Sequence, residues 1–258
     1  GIAIFGIDVY SIFSILPMLT VIAVYSYMNK RKVPVSIYAL TILCLIPKLL
    51  SNKVTSWLAL ILFIVLLLMI TMPSLINFFS VKRILFLVTL FFFLVVFANI
   101  QNLFAPLFEA VGKDVTLSYR TVIWARTVNA ISQNFVFGYG ATGPGIFQTT
   151  VGLSPLWDVQ ASHAHNMILE MIFSVGIVGS LFYVYVIAKC YQKFVKCISI
   201  DKYVSRIINI GFVCMMILFL TDSYIMLTPF YLLLTICYKA DAYLSDYATI
   251  ERMVINGK

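Results

Sequence analysis

The sequence predicts an all-α, polytopic membrane protein of about seven spans with one large extracytoplasmic loop that contains an amphipathic helix. Three observations carry this prediction. Of 258 residues, 62% are hydrophobic and 11% charged, with a mean hydropathy of +1.01; soluble domains average roughly 45–50% apolar and about 25% charged residues. With so few charges most helices have no polar face to turn toward water, so lipid is their solvent. The apolar residues also come in long unbroken runs, unlike the alternating segments of about ten that a transmembrane barrel needs. Finally, Lys and Arg segregate into alternate connections between those runs, as membrane topology demands.

Seven segments come near the roughly 20 residues needed to cross about 30 Å of hydrocarbon. The first, Ile4 to Met28, contains Asp8 and Pro17; the second, Val35 to Leu50, is short and carries Pro47 and Lys48. The third, Trp57 to Met72, is purely apolar apart from its ends, and the fourth, Ile84 to Leu103, contains Phe91, Phe92 and Phe93. The fifth runs from Asn166 to Ala188, the sixth from Ile207 to Leu220 and the seventh from Tyr224 to Tyr238. The division that follows is 1–103 for the N-terminal spans, 104–165 for an extracytoplasmic catalytic loop, 166–240 for the C-terminal spans and 241–258 for a cytoplasmic tail. A signal peptide would offer one short apolar core, whereas the N-terminal stretch is followed by several more like it, so it reads as a span. The first residue is Gly1, not Met, as in a processed chain or a segment with further spans upstream.

Orientation follows from the cations. With Lys30, Arg31 and Lys32 inside, alternation also places Lys82, Arg83, Lys189, Lys193, Lys196, Lys202, Arg206, Lys239, Arg252 and Lys258 inside. That is thirteen of the eighteen Lys and Arg; Lys48, Lys53, Lys113, Arg120 and Arg126 remain outside. The net charge of +8, which in a soluble chain would suggest nucleic acid, therefore serves topology, and no nucleic-acid partner is expected. Cys44, Cys214 and Cys237 fall in spans and Cys190 and Cys197 on a cytoplasmic connection, so the exposed loop offers neither a disulfide nor a Cys metal site. The sequence contains no P-loop or HExxH motif, and the stretch Gly138-Tyr139-Gly140-Ala141-Thr142-Gly143 has no preceding strand to make it a dinucleotide site.

A connection of roughly 60 residues between membrane helices needs a functional reason. Within it Val122 or Ile123, Trp124, Val128 and Ile131 recur at helical spacing after Ser118, a candidate cap, and Arg120 lies one turn before Trp124. The plain reading of Arg120 and Arg126 is contact with phospholipid headgroups by an interfacial helix. The sharper one is recognition of an anionic substrate, since Arg presents a fork of donors that matches phosphate oxygens. Four glycines then fall within 138–145; they make a simple turn, or let the backbone around Gly138 and Gly140 approach a ligand closely.

Both histidines, His163 and His165, stand at the mouth of the fifth span. If that span is one regular helix from His165 on, the eleven positions to Gly176 bring the two onto one face. Gly176 and Ser180 form a small-xxx-small pair that lets a neighbouring helix approach. Asn166 and Glu170 lie at i, i+4, and Glu170 sits where an ionisable group needs a partner or a cavity. An interfacial anchor is the plain reading of a boundary histidine; a metal site lacks a recognisable ligand set, with only Asp158 and Glu170 near; general-base work suits the side chain whose ordinary pKa is nearest neutrality.

At these residues the chain resembles the bacterial O-antigen ligase and O-antigen polymerase family of polysaccharide assembly enzymes. The family pattern of His-Asn, nine residues, then Gly-x-x-Gly reads here as His165-Asn166, Met167 through Val175, and Gly176-Ile177-Val178-Gly179. The family's Arg-x-x-x-Trp helix and Gly-x-Gly turn resemble Arg120 to Trp124 and Gly138-Tyr139-Gly140. The resemblance covers roughly Leu50 to Leu220. Where the family carries Ser-Arg before an early span this chain has Ser51-Asn52-Lys53, which keeps the charge and loses the bidentate fork.

The resemblance implies a metal-independent, cofactor-free glycosyl transfer on the outer face of the bacterial inner membrane. The donor it implies is a glycan on undecaprenyl pyrophosphate, and the acceptor is another glycan or lipid A core. His165 would be the base and Arg120 would stabilise the departing pyrophosphate, with Lys53 or Arg126 assisting. Asn166 and Glu170 would orient His165, His163 would stand in reserve, and Trp124, Gly138 and Gly140 would shape the substrate site. A polymerase is preferred to a ligase because the loop's basic content is modest for docking a phosphorylated core. A flippase, a chain-length regulator and membrane lipids are the further partners implied. A transporter with His165, Glu170 and Asp222 as a proton relay is the alternative of another class; it requires mid-membrane charges, which the third, fourth and sixth spans lack.

Overall fold

The computed structural model describes residues 8–50, 54–70, 81–98, 103, 105–106, 120–140, 144–152, 162–196, 201–221 and 228–256. All regular structure among them is helical. In chain order the helices are α1 (Asp8–Lys30), α2 (Val35–Leu50), α3 (Val54–Met69), α4 (Val81–Ala98), α5 (Arg120–Gln133), α6 (Pro144–Val151), α7 (Met167–Lys196), α8 (Lys202–Thr221) and α9 (Thr228–Asn256). By length and composition, Ser11–Lys30, Met167–Lys193 and Lys202–Leu220 are long and apolar enough to cross a membrane, and Val35–Leu49 and Thr55–Met69 are shorter apolar helices. The helix expected to end near Tyr238 continues to Asn256, through the segment read as a tail.

The chain forms two compact units. One comprises 1–83, 185–218 and 226–258. Its core is built from Ile12, Phe13, Leu16 and Leu19 of α1, Leu60, Phe63 and Leu67 of α3, Ile207, Phe212 and Met215 of α8, and Leu233 and Leu234 of α9, all buried. Gly211 permits close approach of α8 to α1: a Cβ there would stand against Thr20 Oγ1. Thr20 itself donates to the Leu16 carbonyl at 2.8 Å, so its hydroxyl is satisfied within its own helix. Lys48, one of the cations that topology left outside, is buried at 2% exposure and donates to Ser11 Oγ. Such a charge in lipid needs a polar partner, and α1 supplies one.

The turns of this unit are fixed by charge and capping. After α1, Arg31 takes a left-handed conformation (φ 54°), as helix C-termini commonly do, and its N–H returns to the Tyr27 carbonyl at 2.7 Å. Asp201 caps α8, accepting from the Tyr203 and Val204 N–H groups at 2.9 and 3.1 Å, while its other oxygen pairs with Arg31 at 2.9 Å. Arg206 donates to the Ile70 carbonyl at 3.3 Å, where α3 ends.

The second unit comprises 84–184 and 219–225. Its core gathers Ile123, Trp124, Ala130 and Ile131 of α5, Phe147 and Val151 of α6, Ala164, and Leu169 and Phe173 of α7. Phe173 is the hub: its ring stacks on Tyr139 at 4.6 Å and meets Phe147 edge-on at 5.0 Å.

Candidate active site

The face of α5 that the apolar spacing singled out is the buried one, with Ile123, Trp124 and Ile131 in the core and Val128 packed against it. Two of its neighbours in sequence, Ala125 and Arg126, are exposed on the other side. This burial places Trp124 so that its indole N–H donates to the Ala164 carbonyl at 2.9 Å. The N–H of the same residue donates to Glu170 Oε2 at 2.6 Å. Ala164, fully buried, is thus held by α5 through its carbonyl and by α7 through its amide, with a histidine on either side.

Those histidines touch. Their ring centroids are 3.9 Å apart at an angle of 47°. Ser162 Oγ lies 2.7 Å from His163 Nδ1. His165 takes a left-handed backbone conformation, φ 49°, which is uncommon outside glycine and is a form of strain that collects at functional sites. Asn166 is fully buried: its Oδ1 accepts from the Ile168 and Leu169 N–H groups at 2.9 and 3.1 Å, capping α7, and its Nδ2 donates to the Leu220 carbonyl at 2.7 Å.

His165 and Gly176 do not share a helical face, contrary to the expectation of one regular helix. His165 precedes the cap, outside the helix, and Gly176 interrupts α7 with φ 63° and ψ −172°. The helical phase does not run through either end of that interval. What aims His165 is the turn before the helix.

The interruption is repaired by the glycine turn after α5. The Tyr139 and Gly140 N–H groups each donate at 2.8 Å, to the Phe173 and Ser174 carbonyls that the kink releases. In return Ile177 and Val178, whose N–H groups have lost their helical acceptors, donate to the Phe135 and Val136 carbonyls at 2.9 and 3.3 Å. Backbone meets backbone so closely that only glycine fits at two points: a Cβ on Gly138 would lie 2.6 Å from Gly176 N, and one on Gly176 would collide with Val136 O. The close approach that Gly138 permits is therefore to α7. At Gly140, by contrast, there is open space. Within α7, Ser180 donates to the Gly176 carbonyl at 2.6 Å, so the small-xxx-small pair is joined to itself across the kink.

Of the cations, Arg120 opens α5 one turn before Trp124 and is half-buried. The Arg126 guanidinium lies beside Gly152, where α6 ends, a position at which a positive charge complements the helix dipole. Lys53, Lys113, Ser118, Asp158 and Asp222 lie outside the described residues. The structure thus gathers Trp124, His163, His165, Asn166 and Glu170 at one segment, with Gly138 and Gly140 on the kink that follows it. Ser162 and Ala164 were not singled out by the sequence. Ala164 had a signal: a small residue between two histidines permits the backbone there to be buried and gripped.

No curated protein and no solved structure gives a significant match to the chain. A protein-family model described as O-antigen ligase matches residues 38–184. That is more than half of the chain, and it includes α5, the glycine turn, the histidine segment and the Gly176 kink, so the protein belongs to the O-antigen ligase family.

Proposed function

We propose that the chain transfers glycan from an undecaprenyl-pyrophosphate donor on the outer face of the bacterial inner membrane, extending a lipid-linked polysaccharide. Family membership supports a glycosyltransferase-type enzyme acting on a lipid-linked glycan and an acceptor. The observation that carries the site is the held Ala164 peptide, with His165 in a strained conformation against His163. A base that must meet a hydroxyl at a fixed angle benefits from being fixed before the substrate arrives.

In this reading His165 takes the proton of the acceptor hydroxyl as its oxygen attacks the anomeric carbon. The bond from that carbon to the pyrophosphate oxygen breaks with inversion; the pair stays on the leaving pyrophosphate, whose charge Arg120 stabilises, aided by Lys53 or Arg126. Trp124 and Glu170 act on His165 through the Ala164 peptide, Asn166 acts through the cap of α7, and His163 is the reserve base. Gly138 and Gly140 support the substrate site by bracing the helix behind it. No metal or cofactor takes part in this scheme.

Polymerisation is the preferred reaction because segment 104–165 contains few cations, Lys113, Arg120 and Arg126, for docking a phosphorylated lipid A core. The family match supports a ligase- or polymerase-type enzyme alike, and the ligase is the alternative reading. Glycan analysis separates the two: loss of a polymerase leaves single capping repeats, and loss of a ligase leaves free lipid-linked polymer. In membranes supplied with lipid-linked repeats, His165→Ala and Arg120→Ala should each abolish lengthening or transfer. Wild-type activity in both variants would refute the mechanism. A flippase and a chain-length regulator would act before and beside this step.

A further inference from the structure

The larger unit carries a groove remote in sequence from the histidine segment. About 240 Å³ in volume, it runs between α1, α8 and α9, with Thr20, Val24, Met28, Ile208, Ile236 and Tyr243 among its walls. The lining is almost wholly apolar. Along α1 it extends from Thr20 to Met28, about 12 Å at the helical rise. One leaflet of hydrocarbon is about 15 Å deep, half of the roughly 30 Å core. The groove therefore suits a hydrocarbon chain entering from a single leaflet.

One end is basic. Met28 is followed within one turn by exposed Lys30 and then Lys32, and Val204, another wall residue, is preceded by exposed Lys202. The Arg31–Asp201 pair ties these two lysine-bearing turns together at that end and neutralises one carboxylate there; on α9, Lys239 and Asp241 flank the wall residue Ala240 and offset each other. The Lys and Arg bias assigns this end to the cytoplasm, where the leaflet surface is anionic.

We propose that this groove binds one acyl chain of an anionic phospholipid whose phosphate is held by Lys30, Lys32 and Lys202. The site is independent of the transfer chemistry, since none of its residues belongs to the histidine segment. Phosphatidylglycerol is the probe, and phosphatidylcholine the control. The full chain is purified in detergent with an equimolar mixture of the two, and retained lipid is read by native mass spectrometry. Three lysines at the headgroup predict a preference for phosphatidylglycerol of about tenfold or more.

The Lys30→Gln/Lys32→Gln/Lys202→Gln variant should lose the preference and retain one lipid of either kind. Ile236→Trp, which fills the groove from a half-buried position on α9, should lose bound lipid while remaining folded; Val21→Trp, on the exposed α1 wall, takes its place if Ile236→Trp does not fold. Equal retention of both lipids by the wild type would overturn the proposal. So would undiminished retention in the folded groove-filled variant, or a lipid-free dimer whose groove is closed by a second copy.

Discussion

Replacing Gly176 by alanine tests whether the kink and the glycine turn form one joint. An added Cβ would stand against the Val136 carbonyl, which accepts the N–H of Val178, so it cannot be relieved without loosening that bond and its neighbour from Ile177 to Phe135. Holding a non-glycine residue at φ 63°, ψ −172° costs of order 1–3 kcal/mol, and forcing a methyl into packed backbone costs about 1–3 kcal/mol more. At roughly 2–4 °C per kcal/mol for a chain of this size, a mid-range cost of about 4 kcal/mol lowers the melting temperature by about 10 °C. Gly140→Ala is the control. It also has positive φ, 92°, but nothing lies within 4 Å of the new methyl, so strain alone remains, and the shift should stay within a few degrees. Thermal unfolding in detergent, followed by tryptophan fluorescence, measures both. Equal shifts in the two variants, or a wild-type melting temperature for Gly176→Ala, would refute the interlock as a source of stability.

Other expectations follow from the same contacts. Trp124→Phe keeps the ring and removes the donor to the Ala164 carbonyl; leaving that buried carbonyl unpaired costs about 1–3 kcal/mol, and transfer activity should fall with it. Glu170→Gln retains an oxygen for the Ala164 N–H and should keep most activity, whereas Glu170→Ala should not; equal loss would show that charge, not positioning, is what matters. Asn166→Ala removes the cap of α7 and the bond to Leu220, lowering thermal stability by about 0.5–2 kcal/mol from the cap alone. Gly211→Ala should destabilise by about 1–3 kcal/mol through overpacking, with partial recovery in Gly211→Ala/Thr20→Ala; a neutral single variant would place α1 and α8 further apart.

Apolar periodicity made α5 legible: the residues spaced for one face are the ones that the core covers. Helices were legible where apolar runs dominate, as in α2, whose bounds coincide with those expected, although at 16 residues it is shorter than the helices long enough to cross a membrane. The conformation of His165 was not. Extending a helical phase across His165 to Gly176 assumes that every residue between is helical, and the two residues that break this assumption sit at its ends. A histidine at positive φ has no sequence signature. A glycine that breaks a helix looks in sequence like one that lets two helices meet. The partner of Gly176 is 38 positions upstream, and only the fold brings Gly138 to it.

The kink also has a bearing on how the protein is made. Four backbone groups in the span Met167–Lys193 find their partners outside their own helix, and an unsatisfied group in hydrocarbon costs several kcal/mol. The segment that satisfies them, Phe135 to Gly140, leaves the ribosome before α7 does. It is already made when α7 emerges, so the order of synthesis supplies the repair before the break arrives. Moving this turn behind α7 by circular permutation would leave the span to enter lipid with its kink open.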